Sequence, residues 1–167
     1  GHSAIVELLL AHGAAVDAKT STGLSALHIA IDQANVAMCQ MLMEGCADPS
    51  VVDDKGCTAL HRAVIAGHET VIELFLEFST EEDYAPYINV NCFAKDGTTP
   101  LVTAVVRKNQ DVVALLLAYK ADATLTTVAG DSPLAVAVRK KDLSVVRMLL
   151  EAGASPTAMD DNDMSPV

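Results

Sequence analysis

The sequence predicts an all-α fold, a solenoid built from stacked helix–turn–helix units. Three observations predict it. A block of the form Gly-x-Ser/Thr-x-Leu recurs as Gly23–Ser25–Leu27, Gly56–Thr58–Leu60, Gly97–Thr99–Leu101 and Gly130–Ser132–Leu134. Its glycines fall 33, 41 and 33 residues apart, a period at which one unit cannot cover its own apolar face and has to lean on identical neighbours. Half of the chain is apolar, yet it has no Trp and only 3 Phe and 3 Tyr. Its core is therefore made of Leu, Val, Ile, Ala and Met, which suits thin helices packed closely.

Taken in order, the chain opens with Gly1-His2, which aligns with Gly67-His68, the short link between the two helices of a unit. A lone second helix then runs from Ala4 to about Ala11 and stops at Gly13, where a left-handed residue can end it. The first full unit, residues 23–55, has Ser25 placed to cap its first helix. Its second helix carries Val36, Met38, Cys39, Met41, Leu42 and Met43, an adaptable methionine-rich stripe. Cys46 takes the register of Gly13, which implies strain or a different cap. The second unit, residues 56–96, has Thr58 as cap and Val71, Ile72, Leu74, Phe75 and Leu76 as the apolar face. The third and fourth units, 97–129 and 130–162, place Pro100 and Pro133 just inside their first helices, where the missing N–H costs nothing. Lys120 and Gly153 hold the stop register, and a cut-off unit occupies 163–167. On this register Leu9, Leu42, Phe75, Leu116 and Leu149 are equivalent core positions.

The 41-residue step adds eight residues within 78–91, where Ser79-Thr80-Glu81-Glu82-Asp83-Tyr84-Ala85-Pro86-Tyr87 is acidic and carries two tyrosines. It reads as an elongated loop after the second helix or an extension of that helix. Lengthening a loop costs only about 0.6 kcal/mol per doubling, so a solvated insertion needs no function; a recognition loop or a phosphorylation site is the alternative. Both chain ends lie inside units, and Leu8, Leu9 and Val167 are not the polar caps of a finished array, which suggests a piece of a longer protein.

Charge and cysteines narrow the function classes. The net charge is −11, with 4 basic and 14 acidic side chains in 1–96 but 7 and 5 in 97–153. An acidic body is repelled by nucleic acid, so no nucleic-acid partner is expected. No apolar run reaches the roughly 20 residues of a membrane span, and no signal-peptide pattern stands at the start. Cys39, Cys46, Cys57 and Cys92 form no Cys-x-x-Cys pair, so free thiols in a reducing compartment, cytoplasm or nucleus, are the expectation, with no metal or other cofactor. No nucleophile–base pair and no phosphate-binding glycine loop stands out, so no enzyme activity is expected.

These residues resemble the ankyrin-repeat family over essentially the whole chain. The second unit keeps its signature as Gly56, Thr58, Leu60, His61, Ala63, Gly67 and His68. Departures are Val102 and Ala135 in place of the histidine, Ser for Thr in several units, and Asp163 for the opening glycine. The resemblance implies one ankyrin-repeat domain over 1–167, with β-hairpin-like loops projecting to one side and a concave surface for a protein or peptide partner. It also implies that His28 and His61 tie adjacent turns together by bonding neighbouring backbone. Carried over by register, the partner-binding positions are Leu24 and Gln33 in the first unit, Lys55 and Ile65 in the second, Lys95, Asp96, Thr98, Val106 and Arg107 in the third, and Asp131, Arg139 and Lys140 in the fourth. Ser21, Thr22, Asp32, Asp54, Cys57, Ala66, Val128 and Ala129 fall on the same surface.

Arg107-Lys108 and Arg139-Lys140-Lys141 fall in register on consecutive units and should form a basic ledge. Cations suit helix C-termini on dipole grounds alone; the sharper reading is a docking site for an acidic segment. The function expected is a monomeric interaction module of a scaffold or regulatory protein. The alternatives are a structural spacer in a large multi-repeat protein and a regulator resembling the NF-kappa-B inhibitors.

Overall fold

The computed structural model describes residues 2–84 and 87–156; the expected close of the fourth unit and the start of a fifth, at 157–167, lie outside them. The described residues are helices and turns, with no strand among them. The chain divides into two compact units, residues 1–88 and 89–167.

The first unit holds α1 (Ser3–Ala11), α2 (Ala26–Asp32), α3 (Val36–Glu44), α4 (Ala59–Ala66) and α5 (Glu69–Phe78). α2 packs on α3 and α4, α4 on α5, and α3 on α5. The second unit holds α6 (Pro100–Arg107), α7 (Gln110–Ala118), α8 (Pro133–Arg139) and α9 (Leu143–Glu151), paired α6–α7, α8–α9, α6–α8 and α7–α9. Within a repeat the first helix meets the second; between repeats first helices meet first helices and second meet second.

The starts of the helices follow from the side chains that precede them. Ser25, Thr58, Thr99 and Ser132 accept from the backbone N–H of His28, His61, Val102 and Ala135. Pro100 and Pro133 take the first helical turn, as their missing donor permits. The second helices use Asn35, Asn109 and Asp142 in the same way, at about 1 kcal/mol per cap.

Leu42, Phe75, Leu116 and Leu149, the equivalent core positions, are at most 2% exposed. Leu27, Ile31, Leu60 and Val64 join the first unit's core, and Leu101, Val105, Val113, Leu134 and Val145 the second's. Burying each such side chain stabilises by about 1.5–3 kcal/mol. Leu9 departs from its equivalents at 53% exposed, and α1 buries no residue.

Between α1 and α2 and between α3 and α4 the chain makes a hairpin without strand pairing. Gly23 N–H bonds to the Thr20 carbonyl at 3.0 Å and Thr20 N–H to the Leu24 carbonyl at 2.9 Å; Asp53 and Cys57 repeat the pattern, with Gly56. The hairpins of the second unit do the same at Ala94–Thr98 and Thr127–Asp131. This is a tight turn closed by a left-handed glycine. Gly23 and Gly97 have a further reason to lack a side chain. A Cβ on Gly23 would lie 2.9 Å from the Asp54 backbone nitrogen, and one on Gly97 would lie 2.5 Å from that of Val128. The hairpin tips within each unit stack backbone on backbone at these points.

Five other residues occupy the left-handed region: Ala34, Cys46, Lys108, Lys120 and Lys141, with φ between 52° and 67°. They stand where Gly67 and Gly13 stand in better-matched units. The expected strain at Cys46 is therefore present, at φ 63°.

Candidate functional site

In the first unit the surface formed by the hairpin tips and the ends of α2 and α4 is organised by Arg62. Its Nη1 donates to Asp53 at 2.7 Å. Its Nε donates to Asp32 at 3.2 Å, and Nη2 donates to the second oxygen of the same carboxylate. Asp32 closes α2 and belongs to the preceding repeat, so the guanidinium ties two repeats together. Asp53 is buried, with its side chain 4% exposed. Its Oδ1 also accepts from Lys55 N–H at 2.8 Å and Cys57 N–H at 2.9 Å, which fixes the hairpin. Burial alone would raise the Asp53 carboxyl. The Cys57 N–H, the Arg62 guanidinium and the Lys55 N–H outweigh it and hold the group below the ordinary carboxylate range. Burial likewise opposes the charge on Arg62, but Asp32 and Asp53 overcome it and hold the proton more tightly than usual.

His28, 1% exposed, sits against this cluster. Its Nδ1 accepts from Ser25 N–H at 3.1 Å and lies 3.1 Å from the Ser25 hydroxyl, completing a reciprocal cap at the start of α2. The proton therefore sits on Nε2, which faces the Cys57 backbone without a well-formed hydrogen bond. The expected tie to the neighbouring turn is approached rather than closed. Burial lowers the imidazole below its ordinary value, and Arg62 adds to it; Asp53, the Cys57 backbone and Asp32 pull the other way. His61 makes the same cap with Thr58, its Nδ1 3.0 Å from the Thr58 hydroxyl.

Of the positions carried over by register here, Gln33 and Lys55 are exposed, and Leu24 and Ile65 are half-buried. Cys57 is a correction: it is only 6% exposed, within a hairpin that its own N–H helps to close by donating to Asp53. Arg62, the residue that organises the surface, was not among the expected positions. Its clue is the register: it stands where Ile29, Thr103 and Val136 stand, one turn from Asp32 and its equivalents.

In the second unit, Lys95, Asp96, Val106, Arg107, Arg139 and Lys140 are exposed, and Thr98 and Asp131 are half-buried. Asp96 shapes its own hairpin, accepting from Thr98 N–H at 3.0 Å and from the Thr98 hydroxyl at 2.7 Å. α6 ends at Arg107 with Lys108 beyond it, and α8 ends at Arg139 with Lys140 and Lys141 beyond it. α6 packs on α8. Arg139 is in part neutralised: both of its terminal nitrogens reach Asp131, Nη2 at 2.7 Å from Oδ2. Among the described residues no carboxylate is within ion-pair distance of Arg107, Lys108, Lys140 or Lys141. Val106, 45% exposed, and Val128, 77% exposed, add apolar surface on the α6 end and a hairpin tip.

The insertion does not extend α5, which stops at Phe78. It folds back in successive turns: Ser79 Oγ donates to the Leu76 carbonyl, Thr80 Oγ1 to that of Glu77, and Tyr84 N–H to that of Glu81. The Tyr84 ring lies 4.7 Å from that of Phe78, and Ile88 is buried. The insertion is largely solvated, as expected, with Thr80, Glu81, Glu82, Asp83 and Tyr87 exposed; Tyr84 is half-buried, against Phe78.

Cys39 and Cys57 are buried, Cys92 is half-buried and Cys46 exposed. Burial pushes the Cys39 thiol up to about 11. No helix among the described residues is long and apolar enough to cross a membrane.

Comparison with known proteins agrees with this geometry. The family model described as ankyrin repeats in three copies matches residues 1–85 and 83–160. The human BCL-6 corepressor-like protein 1 is 41% identical over 80 residues, covering 48% of this chain and 4% of that protein. The mouse B-cell lymphoma 3 protein homolog is 30% identical over 132 residues, covering 77% of this chain and 28% of that protein. The crystal structure of the ankyrin repeat domain of Bcl-3, described as a unique member of the IkappaB protein family, superposes with a TM-score of 0.88 at 27% identity, over 98% of this chain and 71% of that one. The chain thus spans less than a third of the length of the curated relatives named here.

Proposed function

Because the chain belongs to the ankyrin-repeat family, whose repeats generally mediate protein–protein interaction, we propose that residues 1–167 form one binding module, monomeric and without catalytic activity, within a larger scaffold or regulatory protein. The partner is a protein segment carrying acidic and apolar side chains, docked on the hairpin tips and first-helix ends. The observation that carries this reading is the set of cations at the ends of α6 and α8. Arg107, Lys108, Lys140 and Lys141 stand exposed, as do Val106 and Val128 of the same unit, in a chain of net charge −11. Cations at helix ends gain only a few tenths of a kcal/mol from the dipole; a complementary segment would gain encounter rate and register from the same charges. The compartment proposed is the cytoplasm or nucleus, which suits four cysteines with no Cys-x-x-Cys pair among them.

The test is a fluorescence anisotropy titration with a short labelled peptide of alternating Glu and Val. Arg107→Glu with Lys140→Glu should weaken binding at least about tenfold, the equivalent of roughly 1.4 kcal/mol. Unchanged affinity would dispose of the ledge as a site.

The likeness to Bcl-3 over nearly the whole chain favours a second reading, a regulator of the IkappaB kind. Its test is gel filtration with an NF-kappa-B dimer; separate elution would reject it.

A further inference from the structure

The insertion forms an open pocket of about 450 Å³ with the end of α3 and the loop that follows it. Its lining includes Glu44, Cys46, Asp48, Asp83, Tyr84 and Tyr87. That is within the volume range of pockets that hold a ligand group, and three of these six residues are carboxylates. No lysine or arginine lines it among the described residues. Asp48 spends its Oδ1 on the Ser50 N–H and hydroxyl, at 2.8 and 2.6 Å. Glu44 and Asp83, both exposed, are the other two carboxylates of the lining. The Tyr84 ring is held by Phe78, while Tyr87 stays 52% exposed. Burial, and then the charges of Glu81, Cys46, Asp83 and Glu44, keep the Tyr84 hydroxyl protonated beyond its ordinary range.

Aromatic faces beside carboxylates are what a desolvating cation needs. The ring quadrupole attracts it, by about 0.5–2 kcal/mol, and the carboxylates compensate its charge. A guanidinium fits best, being planar, weakly hydrated and able to stack on a ring while donating to a carboxylate. We propose that this pocket takes an arginine side chain from a basic segment of a partner protein. It is built from residues other than those of the ledge, so its failure would leave the reading of α6 and α8 untouched.

Cys46 reports on occupancy, since its exposed thiol lies in the lining. The probe is a peptide of alternating Arg and Gly, added to the whole chain while iodoacetamide alkylation is followed residue by residue by mass spectrometry, with Cys92 as internal reference. The Arg-Gly peptide should slow alkylation at Cys46 alone, whereas a Gln-Gly peptide should not. Glu44→Lys with Asp83→Lys should abolish the protection, and Tyr87→Ala, a change at an exposed side chain, should weaken the peptide about tenfold, or about 1.4 kcal/mol. Glu7→Lys with Glu151→Lys, the same change in net charge elsewhere, should leave it intact. Equal alkylation with and without saturating peptide overturns the proposal. So does equal protection by Gln-Gly, loss of protection in the Glu7/Glu151 variant, or a Lys-Gly peptide that outcompetes Arg-Gly.

Discussion

Arg62 and Asp53 meet at 2.7 Å where the second hairpin joins α4, and the carboxylate has almost no other contact with water. Removing the cation would strand a buried charge, which is costlier than never having had the pair. Arg62→Leu should lower unfolding stability by about 2–3 kcal/mol, less than for a fully enclosed pair because Asp53 keeps two backbone donors. Urea denaturation of wild type, Arg62→Leu and Arg62→Leu/Asp53→Asn checks it: the double variant should recover part of the loss. Equal stability of wild type and Arg62→Leu would show the pair to be ornamental.

A second expectation concerns pH. His28 titrates below its ordinary value of 6.5 because burial disfavours its charged form. A base whose folded pKa is depressed binds fewer protons folded than unfolded. Its contribution is therefore complete above about pH 6.5 and is lost as pH falls through the folded value. Thermal midpoints should decline on acidification below that point. His28→Gln, which can still serve as the third residue of the cap, should flatten the decline. An identical acid limb in the variant would exclude His28 as its source.

How much of this was legible beforehand depends on whether a feature is local or crosses repeats. Ser25, Thr58, Pro100 and Pro133 mark helix starts through bonds that reach three residues, so the sequence shows them directly. The register that equates Leu42, Phe75, Leu116 and Leu149 is equally plain, since burial follows the period. Arg62 was missed because its partner Asp32 lies 30 residues back and meets it only once two repeats have stacked. The pocket of the insertion was missed for the same reason: nothing in the string Glu81-Glu82-Asp83-Tyr84 says that its ring will find Phe78. Cys57 was misplaced because a register assigns a hairpin position and not the burial of the side chain there.

The left-handed links should respond to glycine. Ala34 and Lys120 hold φ of 52° and 67°, at about 1–2 kcal/mol each for an L side chain. Glycine there relieves that cost and loses part of it to the freer unfolded chain. Ala34→Gly and Lys120→Gly should each stabilise by about 0.5–1 kcal/mol, while Lys140→Gly, at φ −77°, should not. Chemical denaturation midpoints decide it; a loss at both former sites would contradict the strain.

Gly97→Ala should act in the opposite direction. Its new methyl would meet the Val128 backbone nitrogen at 2.5 Å and sit at φ 74°, and backbone cannot step aside as a side-chain tip can. A loss of about 2–3 kcal/mol is expected. It should appear together with weaker amide protection at Val128, whose N–H now reaches the Asp96 carbonyl at 3.4 Å.

α1 buries none of its nine residues and leaves Ile5, Leu8 and Leu9 more than half exposed. Its hydrogen bonds are therefore guarded by little besides one another, and a helix that short is marginal in water. In heavy water, deuterium should sweep through α1 first and reach the amides of α4 and α5 last within that unit, so that unravelling has a preferred end from which to begin.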